Sequence, residues 1–177
     1  YLGASYLDAG NAQQANDHLK QSLVLFEQTR GKFSKAVASV LTNLGNAKLD
    51  LGKPEKAKGY FERALLIDES FYGKDHPEIA IILTNLGNAE NYLGCAEQAK
   101  ESFERALKID EAFYGKDHPK VATILSGLGN AESYLGNAGT AKEYYKRALK
   151  ITESFYGKDH PEVVVALSGL GEAERDL

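Results

Sequence analysis

The sequence has little of what several classes of protein require. It contains a single cysteine, Cys95, so an internal disulfide framework is excluded and a reducing, cytoplasmic setting is expected. No stretch approaches the roughly 18 consecutive apolar residues of a membrane span. The 21 lysines and arginines are outnumbered by 25 acidic residues, which leaves a net charge of −4. That balance gives no general attraction to nucleic acid or anionic lipid. We therefore expect neither a nucleic-acid nor a membrane partner.

What the sequence does have is an internal repeat with a step of 42 residues. The segment FYGKDHP occurs at 71–77, 113–119 and 155–161, and the residues between its copies align over their whole length. The alignment gives a partial repeat at 1–34, repeats at about 35–76, 77–118 and 119–160, and an unpaired final helix at 161–177. The sequence thus predicts one array over 1–177. We expect it to be a fragment of a longer array, or to stack end to end on another copy.

The spacing of apolar residues inside each repeat is helical. In the repeat at 77–118, Ile82, Leu86, Ala89 and Leu93 follow one another at helical intervals. A second run leads from Ala99 through Phe103 to Phe113, and runs of alternating apolar and polar residues are missing. Each repeat is therefore predicted to be a helix hairpin. Helices are expected near 1–9, 12–29, 35–51, 54–71, 77–93, 96–113, 119–135, 138–155 and 161–176.

These residues resemble a known family. A small residue after Leu in the first helix, followed by Ala-x3-Phe-x2-Ala in the second, resembles the tetratricopeptide repeat, lengthened from its usual 34 residues to 42. With the YGKDHP segment, the repeats are similar to those of kinesin light chains. The resemblance implies an all-α, right-handed α-solenoid of tetratricopeptide hairpins. It also implies a scaffold or adapter, not an enzyme, that binds a peptide segment of a partner protein in a concave groove. The alternatives are a sensor or regulatory array of a larger signalling protein or enzyme, and a self-stacking structural array.

The repeated Asp-His-Pro in FYGKDHP could indicate a metal or catalytic site. Equivalent residues of stacked repeats are separated by roughly 16–20 Å, however, so the histidines cannot share one ion. We predict a structural joint instead, in which Gly73 ends one helix and Pro77 lies in the first turn of the next. Asp75 is expected to cap that helix, with Glu78 completing a capping box. No catalytic residue, metal site or cofactor is predicted.

A carboxylate recurs near the predicted core edge at Glu90, Glu132 and Glu174. The position repeats, but Lys48 occupies its earliest copy, so the carboxylate is dispensable there. We expect these residues to form a cap, or an ion pair with the next helix. Acid–base catalysis is the less favoured interpretation.

Small polar residues lie opposite the predicted core stripe and form rungs from one repeat to the next. In the fold that the chain resembles, this face lines the groove. Amides and hydroxyls both donate and accept hydrogen bonds, and tyrosines add rigid apolar area, so the rungs suit a peptide; plain solvation of a helix surface is the alternative. The rungs lack the lysines and arginines of kinesin light chains and of carboxylate-clamp arrays, so a strongly acidic ligand is not expected. The predicted groove residues are Thr42, Asn46, Leu49, Asp50, Thr84, Asn88, Asn91, Tyr92, Ser126, Asn130, Ser133, Tyr134 and Ser168.

Overall fold

The computed structural model describes residues 9–177, with side chains from residue 13 onward. All of its regular elements within that range are helices: α1 (Ala9–Arg30), α2 (Lys35–Asp50), α3 (Pro54–Tyr72), α4 (Pro77–Tyr92), α5 (Ala96–Tyr114), α6 (Pro119–Tyr134), α7 (Ala138–Tyr156) and α8 (Pro161–Arg175). From α2 onward the predicted bounds agree to within one residue.

The start of α1 differs from the prediction. The helix expected at 1–9 lies outside the described residues except for its last position, and α1 (Ala9–Arg30) runs through residues 10 and 11, where a break was predicted. Gly10 lies inside α1. Glycine costs about 1 kcal/mol in a helix and does not forbid one, so a single Gly in the first turn is a weak stop signal.

The chain forms two compact units, Tyr1–Lys74 and Asp75–Leu177, which divide inside the first FYGKDHP segment. In the first unit, α2 packs on both α1 and α3. In the second unit, α4 pairs with α5 and α6 with α7; α5 also packs on α6, and α7 on α8. Helices α4, α6 and α8 additionally contact each other in order, which places the first helices of successive repeats side by side.

Each hairpin is closed by an aromatic ring packed against glycine. Phe103 of α5 is fully buried, and a Cβ placed on Gly87 of α4 or Gly127 of α6 would come within 2.8 Å and 2.4 Å of its ring. The ring fits between two first helices because both have glycine where they face it. The same arrangement recurs, with Tyr145 between Gly129 and Gly169 in the second unit and Phe61 against Gly45 in the first.

The FYGKDHP segment forms a structural joint, as predicted. At the end of α5, Gly115 has φ +88° and ψ 163°, a backbone conformation that only glycine adopts readily, and its amide donates to the Glu111 carbonyl oxygen at 3.1 Å. Pro119 is the first residue of α6, where its missing N–H costs no hydrogen bond. Tyr114 stacks on the His118 ring with 4.5 Å between ring centroids. Phe113 projects outward and stays exposed.

The predicted capping residue is wrong. His76, His118 and His160 are the N-caps of α4, α6 and α8, and each Nδ1 accepts a hydrogen bond from the backbone N–H two residues later, at 3.2–3.3 Å. Proline is responsible for the difference. It occupies the first helical position and favours an extended conformation in the residue before it, so that residue becomes the cap. Asp75 therefore lies one position too early, and Glu78 one position short of a capping box.

We predict that replacing the cap histidine of α8 has a larger effect than replacing the neighbouring aspartate. His160→Ala should lower the free energy of unfolding by about 1 kcal/mol, because the Glu162 N–H loses its acceptor. His160→Asn keeps a capping oxygen and should restore most of the loss. Asp159→Ala is the matched control, and urea denaturation is the measurement. A greater loss for Asp159→Ala would assign the cap to the aspartate after all.

Candidate functional site

The second unit contains an open pocket of about 430 Å³ beside α6, which we call the α6 pocket. Its wall comes from α4, from α6 and its N-cap, from the C-terminal end of α7 and from the first turns of α8. Three predicted groove residues, Asn88, Ser126 and Asn130, line it together. Residues that had not been assigned to the groove complete the wall, notably Lys120, Thr152, Phe155, Tyr156 and Val165.

The hydroxyl rung is tied to its own helices. The side chains of Thr42, Thr84 and Ser126 donate to the carbonyl oxygens four residues earlier, at 3.1, 2.7 and 3.1 Å. The hydroxyl protons are thus used internally, which leaves oxygen lone pairs to accept hydrogen bonds from a ligand. Ser168, the last member of the rung, is exposed on α8.

The asparagine rung (Asn46, Asn88 and Asn130) includes one amide whose orientation is fixed. Asn130 Oδ1 accepts a hydrogen bond of 2.6 Å from the Tyr145 hydroxyl. Burial raises the pKa of Tyr145, and the hydrogen bond with Ser133 lowers it by less. The phenol therefore stays protonated and remains a donor. With Oδ1 occupied, the Asn130 amide nitrogen points its two donors away from Tyr145. Asn88 is half-buried, and Asn46, in the first unit, is exposed.

The third rung consists of Leu49, Asn91 and Ser133, flanked by Asp50, Tyr92 and Tyr134. Its members range from buried to exposed, and none of them lines the α6 pocket. Asn91 is buried, and its Nδ2 donates to the Gly127 carbonyl oxygen at 3.2 Å, which ties α4 to α6. Tyr92 and Tyr134 are 74% and 66% exposed. The remaining members are Leu49 and Ser133, which are half-buried, and Asp50, which is exposed.

The helix ends supply the pocket residues that sequence reasoning missed. Phe155 and Tyr156 belong to FYGKDHP, which was interpreted only as a joint, and yet both line the α6 pocket. Lys120 also lines it, although the predicted rungs lacked cations. It replaces the glutamate found at that position in the neighbouring copies, Glu78 and Glu162. This reversal of charge at one repeat position was the sequence signal that could have identified Lys120 as a pocket residue.

Among the repeated glutamates, Glu132 is held ionised by its partners. Burial alone would raise its pKa, but hydrogen bonds from Lys100 at 2.9 Å and Asn137 at 2.7 Å together lower it. Glu90 accepts a hydrogen bond from Ser102 at 2.8 Å. Both glutamates thus have interhelical contacts, but the ion pair of Glu132 is with Lys100 of the preceding helix α5 and not, as expected from the sequence, with the next helix. A general acid would need the opposite pKa shift for Glu132.

We predict that Tyr145→Phe lowers the free energy of unfolding by about 0.5–1.5 kcal/mol, because one hydrogen bond to Asn130 is lost. Phenylalanine fits this position, since Phe103 occupies it one repeat earlier. The Asn130 side-chain amide signals in an NMR spectrum should also shift and broaden. Unchanged Asn130 signals would contradict the assigned bond, whatever happens to stability.

Comparison with known proteins identifies the repeat. The family model described as tetratricopeptide repeat matches residues 1–70, 37–94 and 78–154. The chain belongs to the tetratricopeptide repeat family. Its fold is the predicted all-α tetratricopeptide solenoid, which typically serves as a non-catalytic scaffold for protein–protein interaction. No curated protein sequence matches the chain.

Solved structures share this fold. A crystal structure of a kinesin light chain-like protein of Podosopora anserina with nearly identical TPR-like repeats has a TM-score of 0.79 at 20% identity, covering 94% of this chain and 79% of that one. BtubC (BKLC) from P. vanneervenii has a TM-score of 0.69 at 22% identity, covering 94% and 64%. The Sgt2 TPR domain from Aspergillus fumigatus has a TM-score of 0.59 at 27% identity, covering 78% and 77%. These matches confirm the all-α tetratricopeptide solenoid fold.

None of the helices in the described part of this tetratricopeptide protein is both long and apolar enough to cross a membrane.

Proposed function

We propose that this tetratricopeptide protein is a scaffold that binds an extended or helical segment of a partner protein in the α6 pocket. The observation that carries the proposal is the meeting of Asn88, Ser126 and Asn130 in one open pocket beside the exposed ring of Phe155. A volume of about 430 Å³ lies within the range of about 300–1,000 Å³ common for binding pockets. Amide donors, hydroxyl acceptors and an aromatic ring are the groups that a peptide backbone and an apolar side chain require.

The charges around the pocket favour a partner segment without a strong net charge. Lys120 and Glu162 both line the pocket and carry opposite charges. Neither a run of acidic residues nor a run of basic residues would find a matching surface there. The lone thiol suits the cytoplasm, where we place the protein.

A selection experiment tests the proposal. Peptides selected on the wild-type chain from a displayed random library are measured by fluorescence anisotropy against Asn88→Ala/Asn130→Ala. We expect affinity to fall by about tenfold or more, because two hydrogen bonds worth about 1 kcal/mol each are removed. Gln98→Ala, which deletes an exposed amide on α5, is the matched control and should bind normally. Equal affinity of the double variant and the control would move the binding surface elsewhere.

A second candidate function, end-to-end self-association, is favoured by one face of α8. Residues on this face are exposed although their counterparts in α6 are buried: Val164, Leu167 and Gly171 in place of Ala122, Leu125 and Gly129. We propose that a second copy covers this face. Sedimentation velocity should show concentration-dependent association that Leu167→Lys abolishes and Thr140→Lys, on the exposed surface of α7, leaves intact. A monomer at every concentration would exclude self-association without affecting peptide binding.

A further inference from the structure

A second, smaller pocket of about 140 Å³ lies between α4, α5 and α6, and we call it the Asp110 pocket. It opens to solvent on the same second unit as the α6 pocket, and Lys120 lines both. Its walls include the isoleucine and threonine side chains of α4 and α6, with one acid and one base. The lining residues include Ile81, Thr84, Asp110, Lys120, Thr123 and Ile124.

The unusual member of this pocket is its carboxylate. Asp110 is only 3% exposed, and its Oδ1 accepts a hydrogen bond from none of the residues that the structure describes. Buried polar atoms in native proteins nearly always have a partner, because an unpaired one loses its hydration without compensation. The pocket therefore offers an acceptor that the chain itself does not satisfy.

Lys120 is the cation that lines this pocket, but its ammonium group is hydrogen-bonded to Tyr114. Its Nζ donates to the Tyr114 hydroxyl at 3.0 Å and lies 4.5 Å from the centre of that ring. Its charge interacts with Glu78 as well as with Asp110. Burial raises the pKa of Asp110, while Lys120 and His118 oppose that rise. Lys120 thus lies at the edge of the pocket and leaves Oδ1 of Asp110 unpaired.

The next repeat shows that the fold does not need this acid. Forty-two residues later the position of Asp110 is taken by Thr152, whose hydroxyl donates to the Ala148 and Leu149 carbonyl oxygens at 3.1 and 3.0 Å. Glu162 replaces Lys120 in the same comparison. Thr152 therefore satisfies its own polar group at this position, whereas Asp110 retains a buried oxygen without a partner. Asp68, one repeat earlier, is a buried aspartate as well.

We propose that the Asp110 pocket binds the side chain of a lysine in the partner segment, an inference that rests on the proposed peptide-binding function. The isoleucines Ile81 and Ile124 provide apolar contact for the methylene stem, and the carboxylate of Asp110, which lines the pocket, accepts a hydrogen bond from the ammonium group. A compact ammonium fits a small pocket with one free acceptor better than a planar guanidinium does, since the latter favours two parallel bonds.

The test uses n-butylammonium chloride as a mimic of the lysine side chain, with n-butanol as the uncharged control of equal length. Methyl NMR signals of Ile81, Ile124, Thr84 and Thr123 are followed at constant ionic strength. We expect saturable shifts with the ammonium and none with the alcohol. Asp110→Thr, which installs the residue of the next repeat, should weaken binding by about tenfold or more. Lys120→Gln should tighten binding, because a competing positive charge is removed.

Two outcomes would overturn the inference: equal shifts in Asp110→Thr and wild type, or shifts with n-butanol as large as those with the ammonium. The selected library peptides separate this result from the proposed function. If the Asn88/Asn130 variant loses peptide binding but Asp110→Thr does not, the α6 pocket binds the segment and the lysine subsite is excluded. If replacing a peptide lysine by norleucine weakens binding to wild type and not to Asp110→Thr, the subsite is supported.

Discussion

Phe103→Ala is expected to lower the free energy of unfolding by about 3–5 kcal/mol, as truncation of a fully buried aromatic side chain does in other cores. Phe103 is 0% exposed, and it is the ring that fills the space between Gly87 of α4 and Gly127 of α6. Neither glycine has a side chain that could occupy the cavity left behind. Urea denaturation followed by circular dichroism measures the loss. A loss below about 1 kcal/mol would mean that the helices collapse onto the cavity or that the ring does not hold them apart.

The glycines provide the matched control for this prediction. Gly127→Ala should destabilise the wild type, since its Cβ would lie 2.4 Å from the Phe103 ring, and should stabilise the Phe103→Ala background. Gly171→Ala, on α8, meets no atom within 4 Å and should raise stability by up to about 1 kcal/mol. Equal effects of Gly127→Ala in the two backgrounds would show that ring and glycine are not coupled.

Asp110→Thr is expected to raise the free energy of unfolding at neutral pH by about 1–3 kcal/mol, because it removes a buried acceptor without a partner. Burial raises the folded-state pKa of Asp110 above its unfolded value, so the folded state binds a proton more readily. The cost of the carboxylate is therefore absent below the unfolded pKa, grows as the pH rises toward the folded pKa, and persists above it.

The measurement is urea denaturation of the wild type and of Asp110→Thr at neutral pH and at about pH 3, which is below the usual pKa of aspartate. The advantage of Asp110→Thr should shrink at the acid end. Lys120 on α6 and His118, which caps that helix, act against the shift, and Glu78 on α4 acts on Lys120; the variant retains all three residues. A variant less stable than wild type at neutral pH would show that Asp110 has a stabilising partner.

A stability gain on replacing Asp110 would also bear on function. Binding sites often contain residues that reduce stability, because a polar group that a ligand satisfies has no partner in the free protein. The same variant should then be more stable and bind the lysine mimic less well, which separates a binding role from a purely structural one.

The candidate site was only partly predictable from the sequence. Asn88, Ser126 and Asn130 were placed in the groove by helical geometry and by the family resemblance, and the structure brings them to one pocket. Asn91 obeys the same periodicity but is buried against Gly127, because the neighbouring first helix approaches its side of α4. Helical periodicity fixes the direction of a side chain but not what packs there.

From α2 onward, the sequence by itself determined the helices, their hairpin pairing and the residues that end them, because apolar spacing, glycine and proline act over a few residues of chain. Only the tertiary structure decided that α7 contributes Phe155 to the α6 pocket and that Asp110 is buried with an unpaired oxygen. Both depend on contacts that join separate helices, and burial depends on distance in space, which a repeat of 42 residues does not encode.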